Sequence, residues 1–148
     1  MFTLHVVCMG NLCRSPIAAA LFQARVPAGR CAVVSSGLAA QAGRPVDAGA
    51  IAVLQAHGLQ APALTARPFD PAAIGPEDLV LAMQRRHLQA LRALVPDARA
   101  RMHLLGRWTR PREIDDPIGG THDDFEQAFA AIARSVDAWC VHDPRLST

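Results

Sequence analysis

Cys8-Met9-Gly10-Asn11-Leu12-Cys13-Arg14-Ser15 sets a thiol, a guanidinium and a hydroxyl at the spacing C-x5-R-S. A thiol attacks well only as the thiolate, and a helix N-terminus with a nearby arginine favours that form. Arg14 can grip two oxygens of a phosphoryl group in a bidentate fork. The Ser15 hydroxyl can donate to the sulfur and help it leave again. Gly10 and Asn11 are residue types that tolerate left-handed backbone angles. Such angles turn successive N–H groups inward into a nest for an anion. Phosphoryl transfer needs mainly positioning and charge stabilisation, and this octapeptide carries both. The expected chemistry is attack on a phosphate ester by Cys8, with phosphate or another oxyanion resting in the loop.

Cleavage of an ester also needs a proton for the leaving oxygen, and later a base for water. A carboxyl group does both. Asp115-Asp116-Pro117 is the candidate source. Pro117 confines the residue before it to extended conformations, which helps to fix where Asp116 points. Asp115 is the competitor. Taken alone, Asp-Pro is ordinary turn chemistry.

The elements around these residues place them at the end of a strand. Thr3 to Cys8 is a short apolar run rich in β-branched residues, which predicts a buried strand. Ser15-Pro16 predicts a helix start, with Ser as cap and Pro in the first turn, running to about Val26. Cys31 to Ser35 predicts a second strand ended at Gly37, and Val46 to His57 a helix stopped at Gly58. Pro62 to Pro76, with four prolines, reads mostly as loop. Leu79 to Met83 predicts a third strand, Arg85 to Leu94 a helix, and Arg101 to Leu105 a fourth strand. Trp108 to Thr121 is a long connection. Phe125 to Val141 is a last helix with Phe125, Phe129, Ile132, Val136 and Trp139 on one face. Strands alternating with helices imply an α/β domain, a parallel sheet covered on both faces. In such sheets ligands bind at the carboxyl ends of the strands, where Cys8 falls.

Composition narrows the class further. The chain has 148 residues, the size of one ordinary domain, and 51% of them are hydrophobic, enough for a real core. Residues 1–148 therefore read as one domain. All 15 basic residues are Arg and the net charge is +2, so arginine clusters carry little information and no nucleic-acid arm is expected. Arg85-Arg86 and Arg107, Arg110 and Arg112 read as solvated charge. No apolar run reaches membrane-spanning length and no secretory leader is visible, which leads to the cytoplasm as the expected compartment. The six histidines lack paired metal-ligand spacing, and the four cysteines form neither a zinc pattern nor a disulfide framework. No metal or cofactor is expected. Cys31 and Cys140 read as structural. Cys13 reads as a small buried hydrophobe, and a thiol beside a reactive thiolate is also the redox-sensor arrangement.

The stretch from Val6 to Pro16 resembles the signature of the low-molecular-weight protein tyrosine phosphatases. Ser35-Ser36-Gly37-Leu38, Leu79 to Met83 before a helix, and the late Asp-Pro also fall where that family has counterparts. The resemblance implies a four-stranded parallel sheet of order 2-1-3-4 flanked by helices. It implies Cys8 as nucleophile forming a phosphocysteine, Arg14 as phosphate clamp, and Asn11, Ser15 and Ser35 as the network shaping the loop. The family's acid is the Asp directly before Pro, which selects Asp116. A reversible Cys8–Cys13 disulfide is implied under oxidation. The implied substrate is phosphotyrosine in proteins, with a bacterial tyrosine kinase of polysaccharide export as partner. Met9, Leu12, Trp108 and Ile118 are the candidates for a wall against the phenyl ring.

Two related chemistries and one unrelated class compete. An arsenate reductase of this fold needs resolving cysteines at about residues 80–90, where this chain has none. A protein-arginine phosphatase of the same fold carries Thr at the position of Leu12, and Leu12 argues for an ester. A non-catalytic phosphate-binding module would not need nucleophile, clamp and acid together.

Overall fold

The structure is a computed structural model that describes residues 1–147. Four strands, β1 (Phe2–Cys8), β2 (Cys31–Gly37), β3 (Leu79–Ala82) and β4 (Met102–Leu104), form one sheet of order β2-β1-β3-β4. All neighbouring pairs are parallel. Along β1 the side chains alternate between two cores, as a period of two demands. Leu4, Val6 and Cys8 face the larger core, built with helices α1 (Arg14–Arg25), α2 (Ala48–Ala56) and α4 (His122–His142). Val7 faces a smaller core with Val80, Ala82 and the apolar side of helix α3 (Arg85–Leu94), Leu88 and Leu91. The expected three layers and strand order are those observed.

The chain leaves β1 for β2 on one side and lies against β3 on the other. The C-terminal ends of β1 and β3 therefore flank the switch point of the sheet, where ligands bind in open α/β folds. Cys8 ends β1, and Gln84 stands just beyond β3. His5, in mid-β1, is taken up by the buried carboxylate of Asp78 at 3.0 Å and is part of the scaffold.

Three helix starts differ from the expectation. Helix α1 begins at Arg14, not at Ser15-Pro16, and its cap residue Cys13 makes no side-chain capping bond. Ser15 does not cap because its hydroxyl is drawn into the loop around Cys8. Helix α4 begins at His122, ahead of the expected Phe125. Thr121 and Asp124 satisfy each other's backbone N–H groups in a capping box that stabilises the extra turn. Helix α2 is shorter than expected, because Asp47 caps it by accepting the N–H of Gly49.

Candidate active site

The loop from Cys8 to Ser15 is pinned from beneath before any side chain acts. Leu38 and Ala39 donate their N–H groups to the carbonyls of Cys8 and Met9, and Asp47 donates to Leu12. Gly37 lies directly under the turn. A Cβ there would stand 2.7 Å from the Met9 carbonyl oxygen and 2.8 Å from the Asn11 nitrogen, so only glycine lets the loop sit so low. Asn11 takes φ 57°, the left-handed region. It is held there by its side chain, which accepts the N–H of Arg67 at 2.8 Å and donates to Ser15 Oγ at 2.7 Å and to Ser35 Oγ.

This network leaves the Cys8 sulfur surrounded by donors. Asn11 N–H points at Sγ from 3.3 Å, and Ser15 Oγ lies 3.0 Å away. The Asn11 amide donates into Ser15 Oγ, and the hydroxyl's own hydrogen has two acceptors in reach, the sulfur at 3.0 Å and the Ser36 carbonyl at 3.3 Å. The first bond within α1 runs from Ile17 N–H to the Cys13 carbonyl. The N–H groups of Arg14 and Ser15 therefore have no partner inside the helix, which is the ordinary condition of a helix N-terminus and a ready seat for an anion.

Arg14 is 1% exposed. Its Nη1 donates to Gln84 Oε1 and to the carbonyl of Ile114, both at 2.8 Å. Nε is buried and has no partner among the described residues. With Nη1 tied to the scaffold, the Nε–Nη2 edge of the guanidinium is the one left for a bidentate contact. The Asp116 carboxylate stands 3.6 Å from Nη2. Its other oxygen accepts the N–H of Ile118 at 3.1 Å. Gly119, at φ 77°, closes the turn behind it, with Gly120 N–H bonded to the Pro117 carbonyl. Asp116 is thus oriented at the edge of the site and is 39% exposed in its side chain. Asp115 is exposed and lies between two surface hollows.

Cys8, Met9, Gly10, Asn11, Leu12, Cys13, Arg14, Ser15 and Ser35 are brought together with Asp116 and Ile118. Trp108 is not brought with them. It stacks flat on His142 at 4.0 Å in the last turn of α4 and meets the edge of Trp139. The Asp116 loop lies beside the first turns of the same helix, where Asp124 and Ala128 share a groove with it. The long connection carries Trp108 away because aromatic packing on α4 is available there. Ile118 is exposed and lines that groove.

Sequence reasoning missed Gln84 and the Ile114 carbonyl, which orient Arg14. Gln84 stands just beyond β3 and reaches Arg14 because β3 pairs with β1. His87 is fully buried, with both ring nitrogens unpartnered among the described residues. Burial, then the charges of Arg14 and Arg86, push it down to about 4, so it is neutral at pH 7. No group of His, Cys, Asp and Glu that could hold a metal occurs among the described residues.

A thiol, a free guanidinium edge and an oriented carboxylate around the N-terminus of α1 define a site for thiol-based phosphoryl chemistry on a doubly wound sheet. The family model for low molecular weight phosphotyrosine protein phosphatase matches residues 3–146, and the chain belongs to that family of enzymes. A curated relative is the low molecular weight protein-tyrosine-phosphatase Wzb of Salmonella typhi. It is 37% identical over 134 residues, which cover 90% of this chain and 89% of that protein. The solved structure of Vibrio vulnificus Wzb in complex with benzylphosphonate superposes with TM-score 0.86 at 31% identity, covering 93% of this chain and 96% of that one. The YwlE arginine phosphatase from Geobacillus stearothermophilus has TM-score 0.80 at 25% identity, covering 97% and 98%.

Proposed function

We propose that residues 1–148 form one domain that hydrolyses phosphotyrosine through a phosphocysteine on Cys8. The observation that carries this reading is the Arg14 guanidinium. It is buried and fixed through Nη1, with Nε unpartnered and Nη2 3.6 Å from the Asp116 carboxylate, in the same loop as a sulfur already facing two donors. Cys8 attacks phosphorus in line while Asp116 gives its proton to the departing phenol oxygen. Asp116, now a carboxylate, then takes a proton from water as that water attacks the phosphocysteine. The Ser15 O–H and Asn11 N–H stabilise the departing thiolate. Met9, Gly10, Leu12 and Cys13 complete the cradle, Ser35 braces Asn11, and Ile118 flanks the ring. The proposed protein partner, implied by the family resemblance, is a tyrosine kinase of polysaccharide export. The cytoplasm is the proposed compartment, and no helix among the described residues is long and apolar enough to cross a membrane.

Arginine phosphatase activity is the second reading, favoured by the likeness to YwlE. Leu12 is buried and offers no hydroxyl to a guanidine, which supports the ester. Peptides bearing phosphotyrosine, phosphoserine or phosphoarginine decide the matter. Phosphotyrosine is expected to turn over best, because the serine ester oxygen is too short to reach under Asp116 with peptide attached. Fastest turnover of phosphoarginine would make the second reading the answer.

Oxidation gives a separate expectation. Peroxide converts the Cys8 thiolate to a sulfenic acid, and the Cys13 thiolate then attacks that sulfur and displaces hydroxide, which takes a proton from solvent, to form the disulfide. Burial, with the charges of Asp47 and Asp116, pushes the Cys13 thiol well up. Its thiolate fraction, and so the rate of disulfide closure, should rise roughly tenfold per pH unit above neutrality. Mass spectrometry of the oxidised protein at pH 7 and pH 9 reads this directly. Overoxidised Cys8 beside a free Cys13 at both pH values would refute it.

A further inference from the structure

Arg85 is far in the chain from Arg110 and Arg112, yet the three line one open hollow of about 510 Å³, together with Pro111, Glu113 and Asp115. None of the three guanidinium groups forms an ion pair among the described residues. Arg110 Nη1 donates to the Thr109 carbonyl. One of the two carboxylates, Glu113, is occupied in accepting the backbone N–H of Arg85 at 2.8 Å. Three exposed guanidinium groups thus face two carboxylates, and the side chains of Arg85 and Arg112 have no hydrogen-bond partner among the described residues. Two of the residues lining the hollow are chain neighbours of the site. Arg85 follows Gln84, which holds Arg14, and Asp115 precedes Asp116.

We propose that this hollow is a specificity site for an anionic group, a carboxylate or a second phosphate, within a few residues of the phosphotyrosine being cleaved. The inference rests on the phosphotyrosine reading above. A guanidinium presents a planar pair of donors that matches either anion. Because the groups are exposed, each contact is modest and screened by salt.

The test measures dissociation constants of phosphotyrosine peptides for the Cys8→Ser protein, alongside turnover by the wild type. Peptides carry neutral, acidic, lysine or second-phosphotyrosine flanks. Acidic and doubly phosphorylated peptides should bind about three- to thirtyfold tighter than the neutral one, from two or three exposed charge contacts. The lysine peptide should bind more weakly than the neutral one. The differences should shrink to about twofold at high salt, and Arg110→Gln with Arg112→Gln should level them. A gain for the doubly phosphorylated peptide alone assigns phosphate as the anion. Equal affinity for all four peptides, or a preference that survives both arginine substitutions, overturns the proposal. Failure of the wild type to turn over even the neutral phosphotyrosine peptide counts against the proposed function instead, since the binding ratios still decide the hollow.

Discussion

Replacing Cys8 by Ser lowers turnover of aryl phosphates by more than about 10⁴-fold, because the covalent route then lacks its nucleophile. The protein stays folded. Serine fits the space of the buried thiol, and Asn11 N–H and the Ser15 hydroxyl still have an oxygen to face. A change in stability within about 1 kcal/mol is expected for so small a change of shape. Activity assays and thermal unfolding on the same preparation separate the two effects. Undiminished turnover in a folded Cys8→Ser protein would remove the proposed chemistry altogether.

The second large effect belongs to Asp116. Asp116→Asn should reduce kcat by about two to four powers of ten, the usual scale for a positioned acid. The loss should be smaller for p-nitrophenyl phosphate than for a phosphotyrosine peptide, since nitrophenolate departs with less need of a proton. Asp115→Asn should change little. The distinction is geometric: Asp116 is fixed by the Ile118 N–H and stands 3.6 Å from Arg14, whereas Asp115 faces outward between two hollows. Equal, mild losses from both variants would mean that the loop is structural or that the acid lies elsewhere.

The loop and the position of Asp116 beside it were legible because their signals are local. Cys8 through Ser15 carries its meaning in spacing, and Pro117 marks the residue before it. The strand order followed from the family resemblance, while alternation alone predicted only a parallel sheet. Ser15 misled at the helix start, since a hydroxyl suited to capping is equally suited to a thiolate, and sequence does not say which claim wins. Thr121 with Asp124 was a readable capping signal that the apolar face beginning at Phe125 obscured. Gln84 became visible only once β1 and β3 were paired, with Val7 opposite Ala82. Trp108 shows the converse. A long connection does not reveal whether it folds over the site or back along a helix, and packing against Trp139 and His142 decided it. The arginine hollow is tertiary in the same way, since Arg85 meets Arg110 and Arg112 only after the fold forms.

The most direct measurement is to trap the intermediate. The Asp116→Asn protein mixed with p-nitrophenyl phosphate and quenched in acid within its first turnovers should carry one phosphoryl group on the peptide that contains Cys8, found by mass spectrometry and absent from Cys8→Ser. Product formation with no phosphorylated Cys8 at any quench time, or a phosphoryl group on another residue, would contradict hydrolysis through a phosphocysteine.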